Sequence, residues 1–448
     1  MPAVLASLPF VLYLLAIAAL PLAAGAFWDT HRNKLIVALA ASLPVAAYLV
    51  GWVPDGAAVL AATAREYVAF ITLLGALFVI AGGIHVRGVL AGTPAVNTAL
   101  LAAGAVLANA IGTTGASALL IRPLLRANEH RRRRRHVVIF FIFIVSNGGG
   151  LLSPLGDPPL FLGFLRGVPF TWTLRLAGPW AMVNLSLLAM FAIADRWLAR
   201  REPPPRRDLA PEPVGPVRPV RPVRPVRPVR PVRIDGKLNL AWLGGVVATV
   251  FAAGTFGGHG LAGTVVQSAA VAGFAGLSLA TTPRAVHEAN RFSWAPIHEV
   301  AVVFVGIFVT MAPAMAALEG HGAAFGVTQP WQFFWASGAL SSVLDNAPTY
   351  LTFASLASGV AGATTVPPVA IHDLGALAVH PTGQHLLEAV SCGSVFMGAI
   401  TYIGNGPNFM VKAIAEQHHV RMPGFFGYLA WSVAILVPLL GAVALVWF

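Results

Sequence analysis

The chain has 448 residues, of which 57% are hydrophobic and only 10% charged, with mean hydropathy +0.75. A soluble globular protein carries roughly 25% charged residues, so polar groups cannot cover this one and lipid must be its main solvent. The net charge of +12 argues little for nucleic acid, because the basic residues lack interleaved aromatics, and the single cysteine, Cys392, excludes internal disulfides and multi-cysteine metal centres.

In chain order, apolar runs near the roughly 20 residues that cross a bilayer predict spans. They lie at residues 4–24, 35–53, 67–84, 136–152, 171–194, 238–257, 262–280, 297–318 and 424–446. The first lacks a basic n-region and a small-residue cleavage site, so it reads as a span rather than a signal peptide. Two further regions, 93–125 and 331–358, carry a central polar break and read as re-entrant hairpins. Cys392, within Ser391-Cys-Gly-Ser394, reads as a small residue packed between helices.

The basic residues set the topology. With the N-terminus outside and both hairpins re-entrant, all but Arg65, Arg166 and Arg175 of the 29 Lys and Arg face the cytoplasm. The expected fold is an all-α polytopic membrane protein of a bacterial-type inner membrane. It divides into a first repeat over 1–194 (hairpin about 93–125, broken helix about 136–166), a linker over 195–237, and a second repeat over 238–448 (hairpin about 331–358, broken helix about 385–418). The two repeats have opposite orientation, each with spans, a hairpin and a broken helix.

The linker carries a Pro-Val-Arg repeat from Pro216 to Arg233. Polyproline II has three residues per turn, which would line its arginines along one edge near anionic headgroups. The Arg131–Arg135 cluster reads as an orientation signal.

The chemistry concentrates where hydropathy demands helix and the sequence supplies Gly and Pro instead. Ser153-Pro-Leu-Gly-Asp157-Pro-Pro-Leu-Phe161 and Thr401-Tyr-Ile-Gly-Asn405-Gly-Pro-Asn-Phe409 are such turns. Backbone broken at membrane depth must be buried in protein or line a wet cavity, and paired breaks in two halves point to a transporter's binding site. Four polar clusters fall at that depth. They supply the candidates Asn109, Thr113 and Thr114; Ser146, Asn147, Ser153 and Asp157; Asp345, Asn346 and Thr349; and Thr401, Asn405 and Asn408. Leu-Ala-Asn109-Ala matches Leu-Asp-Asn346-Ala between the hairpins.

Asp157 before Pro158, and Asn405 before Gly406-Pro407, also fit helix capping. A carboxylate such as Asp345 costs on the order of 2.5–3.5 kcal/mol deep in a bilayer and is usually functional. His298-Glu299 lacks the second histidine of a zinc-protease helix, since position 302 is Val. His372, Asp373, His380 and His385 cluster in an external loop and are weak metal candidates. Trp172, Trp331 and Trp335 fit an interfacial belt.

The strings Asn147-Gly-Gly-Gly-Leu-Leu-Ser-Pro-Leu-Gly-Asp157-Pro-Pro, Asp345-Asn-Ala-Pro-Thr349 and Tyr402-Ile-Gly-Asn405-Gly-Pro-Asn408 resemble the ion transporter superfamily. They look most like its NhaD-type sodium/proton antiporters and their citrate-transporter relatives. The resemblance covers nearly everything outside 195–237. It implies hairpin tips and unwound spans around a central site, an elevator-like motion and a homodimer. The Ser-Asn-Thr tips of dicarboxylate carriers are incomplete here.

Charge then favours a sodium/proton antiporter, since Asp157 and Asp345 would repel an anion unless neutralised. Both would exchange Na⁺ for H⁺, with Asn147, Asn346 and Asn405 as further sodium ligands and the remaining candidates as neutral oxygens. No cofactor is expected beyond Na⁺ and H⁺ as transported ions; the partners are the lipid bilayer and small inorganic cations, with no nucleic acid. The alternative is a Na⁺- or H⁺-coupled citrate or carboxylate carrier. An intramembrane aspartyl enzyme using both carboxylates leaves the repeat and the neutral Asn405 without a role, so the protein is not expected to be an enzyme.

Overall fold

Lipid-facing backbone must satisfy its N–H and C=O groups within one segment, which makes helix the required element. The computed structural model describes residues 3–28, 30–202, 230–256, 261–321, 324, 326–364, 371 and 373–448. About 81% of the described residues are helical. Among the described residues, nine helices are long and apolar enough to cross a membrane. The protein is an all-α polytopic membrane protein.

The first half begins with α1 (Ala3–Ala23), a short α2 (Gly25–Trp28), α3 (His31–Trp52) and α4 (Gly56–Gly82). It continues with α5 (Pro94–Ala127), α6 (Arg135–Ile144), α7 (Pro158–Leu165) and α8 (Ala177–Arg200). The second half holds α9 (Leu238–Phe256), α10 (Leu261–Thr281), α11 (Arg284–Asn290) and α12 (Ala295–His321). Then come α13 (Pro330–Ser341), α14 (Asn346–Ala363), α15 (Leu374–Val379), α16 (Pro381–Met397), α17 (Gly406–Gln417) and α18 (Phe425–Trp447). Helix α4 starts at Gly56, well before the apolar run at 67, and its charged turn carries Glu66, which pairs with Arg166 at 2.8 Å.

The helices pack as two bodies. In one, α12 lies against α1, α3 and α4, while α10 packs on α4 and α9. In the other, α5 packs on α6, α8 and α17, and α13 and α14 pack on α16. The bodies meet where α12 lies on α14 and α4 on α5. Cys392 is fully buried on α16.

One element departs from the all-helical expectation. β1 (His85–Val89) pairs antiparallel with β2 (Arg230–Asp235), His85 opposite Asp235 and Val86 opposite Ile234. Arg87 also forms an ion pair with Asp235. The end of the Pro-Val-Arg repeat is therefore a strand and not polyproline II, because pairing with β1 satisfies backbone groups that polyproline II leaves to water. The rest of that repeat lies outside the described residues.

Candidate functional site

The two turns are built alike. In the first, α6 stops at Ile144 and α7 restarts at Pro158; in the second, α16 stops at Met397 and α17 restarts at Gly406. Each loop doubles back on itself through glycine. A Cβ on Gly156 would stand 2.0 Å from the Gly150 carbonyl oxygen, and one on Gly404 would stand 2.7 Å from that of Gly398. Only hydrogen fits at the first crossing.

A hydroxyl then ties each loop to a hairpin. Ser153 Oγ donates to the Asn109 carbonyl and accepts from Leu155 N–H at 3.0 Å. Thr401 Oγ1 donates to the Ser342 carbonyl and accepts from Ile403 N–H at 3.2 Å. These matched bonds revise the register between the hairpins. Asn109 corresponds to Ser342, not to Asn346; four residues on, Thr113 corresponds to Asn346. The string match failed because docking is set by backbone carbonyls, which carry no residue identity.

The tips reach one carboxylate. Gly112 interrupts α5 at φ 75°, a left-handed value that glycine adopts freely, and turns Thr113 toward the first break. There Thr113 N–H donates to Gly156 C=O at 2.8 Å. Asp157, 1% exposed, receives the Thr113 hydroxyl at 2.8 Å on Oδ1 and the Asn346 amide at 2.6 Å on Oδ2. Asn405 Nδ2 approaches Oδ1 at 3.5 Å. The kink of α5, the start of α14 and both interrupted helices thus converge on Asp157. Although Asp157 and Asn405 occupy N-cap positions, neither side chain caps its own helix.

A second tier orients the first. Asn405 Nδ2 also donates to Asn147 Oδ1 at 3.1 Å and to Ser146 C=O at 3.2 Å. Asn147 Nδ2 donates to Asn408 Oδ1 at 2.7 Å, and Asn408 Nδ2 donates to the Gly398 and Thr401 carbonyls at 2.8 and 3.0 Å. Ser146 shares a 2.8 Å hydroxyl contact with Ser117.

Other candidates are placed differently. Asn109 Oδ1 accepts Leu152 N–H at 2.8 Å, so it braces the loop outside the central cluster, as do Ser153 and Thr401. Thr349 donates to the Asp345 carbonyl at 3.0 Å, and Thr114 is partly buried beside Thr113. Asp345 flanks the chamber. One of its oxygens caps α14 by accepting Ala347 N–H at 3.1 Å, yet its charge is close enough to act on Asp157. Neither aspartate has an ion-pair partner among the described residues.

The cluster presents oxygen ligands of the kind a cation takes. Asn346 Oδ1 is buried and has no hydrogen-bond partner, although its amide nitrogen is committed to Asp157. A carboxylate beside an unused amide oxygen is a pair of hard oxygen ligands suited to a hard cation. Three helices, α7, α14 and α17, also begin here, so their N-terminal dipoles stabilise negative charge at the same point. Among the described residues, no three His, Cys, Asp or Glu side chains are grouped to hold a metal ion. His372 lies outside the described residues; Asp373 caps α15, His380 caps α16, and His385 contacts Glu388 at 3.3 Å.

A polar network at the arginine-rich end escaped the sequence reading. Asp195, on α8, accepts from Asn97 Nδ2 at 2.9 Å, contacts His136 Nε2 at 2.8 Å and pairs with Arg131 at 2.5 Å. Asn97 and Asn128, at the two ends of α5, exchange amide bonds of 2.9 and 2.7 Å. This latch ties the two ends of α5 together. Its only sequence signal is an aspartate late in an apolar helix, which had been assigned to the start of the linker.

Among curated proteins, nothing matches this chain. Over residues 1–448 it matches the family described as "Putative citrate transport", and with its helices folded around a buried polar chamber the protein belongs to that family.

Proposed function

We propose that the protein is a secondary active transporter that exchanges Na⁺ for H⁺ on Asp157, in the manner of NhaD-type antiporters. The observation that carries this reading is one fully buried carboxylate held by amide and hydroxyl donors from three other broken elements, with no basic partner among the described residues. An uncompensated buried charge is costly, so Asp157 must hold either a proton or a bound cation. Competition between the two for one site couples their movement in opposite directions. Asp157 takes the exchanging ion, Asn346 Oδ1 supplies a second ligand, and Asp345 adds nearby negative charge that favours cation over anion.

In this reading the two halves form inverted repeats, and alternating access is an elevator-like movement of the α5–α8 and α13–α18 body against the other, within a homodimer in a bacterial-type inner membrane. If two protons exchange per sodium, each net charge is worth about 2.3 kcal/mol per 100 mV of membrane potential. Everted vesicles with a pH dye test it: Asp157→Asn abolishes sodium-dependent dissipation of ΔpH, and full activity in that variant overturns the mechanism.

A cation-coupled citrate or carboxylate carrier is the second reading, supported by the family's description and by the helix N-termini at the chamber. Uptake of radiolabelled citrate driven by a sodium or proton gradient, without sodium-dependent proton release, selects it.

A further inference from the structure

At the arginine-rich face, a cavity of about 350 Å³ opens between the end of α4, the second half of α5, residues 290–296 and α17. Its lining is largely apolar, with Phe78, Leu119, Met410 and Ile414, and includes Arg122 and Arg291. Among the described residues no aspartate or glutamate lines it, and neither arginine side chain has a hydrogen-bond or ion-pair partner. Arg122 lies nine residues beyond Thr113 along α5, about 14 Å at the helical rise, so the cavity is separate from the Asp157 chamber.

Its geometry is held in place. Asn290 donates to the Gly82 and Ile84 carbonyls at 2.7 and 2.8 Å, which pins the 290–296 segment to the end of α4. The next residue, Arg291, adopts φ 50°, a left-handed value unusual outside glycine, and this turn ends α11 at the cavity mouth. The surroundings are positive. Arg126, one turn beyond Arg122 on α5, adds a further charge.

Two cationic groups in a largely apolar lining, without a counter-charge in it, focus a field that concentrates anions. Guanidinium forks match carboxylate and phosphate oxygens in paired hydrogen bonds. We propose that this cavity is an anion site, independent of the cation chamber, that takes a compact multivalent oxyanion between Arg122 and Arg291. A soluble polycarboxylate and the phosphate of an anionic lipid headgroup share that chemistry.

The test is calorimetric titration of citrate into the full-length protein in nanodiscs of neutral phosphatidylcholine, and of the same lipid with added phosphatidylglycerol. Saturable citrate binding in neutral discs, weakened at least tenfold by Arg122→Gln and by Arg291→Gln and retained in Asp157→Asn, supports the site. If phosphatidylglycerol blocks citrate in the wild type, the site stands with the headgroup as occupant. Gln417→Glu, which places a carboxylate on the wall without removing an arginine, should weaken binding as well and guards against misfolding of the arginine variants. Equal citrate binding by wild type and both arginine variants overturns the proposal, as does the absence of binding in neutral discs or a loss that follows Asp157→Asn alone. Because Asp157→Asn removes cation exchange by design, its anion binding is read separately from the antiport mechanism.

Discussion

At the scale of single residues, Asp157 and Asp345 differ in what surrounds them. Asp157 accepts only from side chains of other elements, whereas Asp345 spends one oxygen on the N-terminus of its own helix. Asparagine caps a helix about as well as aspartate. Asp345→Asn should therefore leave the melting temperature within about 2 °C of wild type while weakening apparent sodium affinity, so the charge is measured without the fold. Removing a hydrogen bond to a charged group costs about 1.5–3 kcal/mol. Asn346→Ala, which deletes the 2.6 Å donor to Asp157 and a free amide oxygen, should raise the half-saturating sodium concentration at least tenfold in everted vesicles.

At the scale of elements, the breaks were legible and their docking was not. Gly and Pro inside apolar runs announce interrupted helices, and α6–α7 and α16–α17 are interrupted where Asp157 and Asn405 stand. The register between hairpin and break depends on Ser153 and Thr401 finding carbonyls, and any residue at 109 or 342 presents a carbonyl. Matching asparagine to asparagine therefore misaligned the tips by four residues. The backbone itself gives a further test. An L-residue held at the φ of Gly112 costs on the order of 1–3 kcal/mol, so Gly112→Ala should lower the melting temperature and transport together. Gly156→Ala should be more severe, since the opposing group is backbone and cannot rotate away; no folded transporter is expected by size-exclusion chromatography.

At the scale of the molecule, composition indicated membrane and helices, because it is a sum over many positions. The buried network at Asp195 was invisible for the opposite reason: its members, at 97, 128, 131, 136 and 195, meet only after three helices, α5, α6 and α8, have packed. Taking away one partner of a buried pair costs about 3–5 kcal/mol because the remaining charge is stranded. Asp195→Ala should accordingly destabilise by that order in thermal melts, and Asp195→Asn by less, since an amide still accepts from Asn97. Topology is open to direct test. Reporter fusions at the C-terminus should be active as alkaline phosphatase and dark as GFP, and fusions within 203–229 should behave the opposite way.

The small ribbon between β1 and β2 has a mechanical corollary. It fixes the chain at Val89, and α5 does not begin until Pro94, so Leu90, Ala91, Gly92 and Thr93 are all the slack between a stapled strand and the helix whose tip touches Asp157. Four residues pulled straight reach roughly 14 Å. In the proposed elevator-like movement, unless the ribbon rides along or unzips, that leash caps the travel of α5.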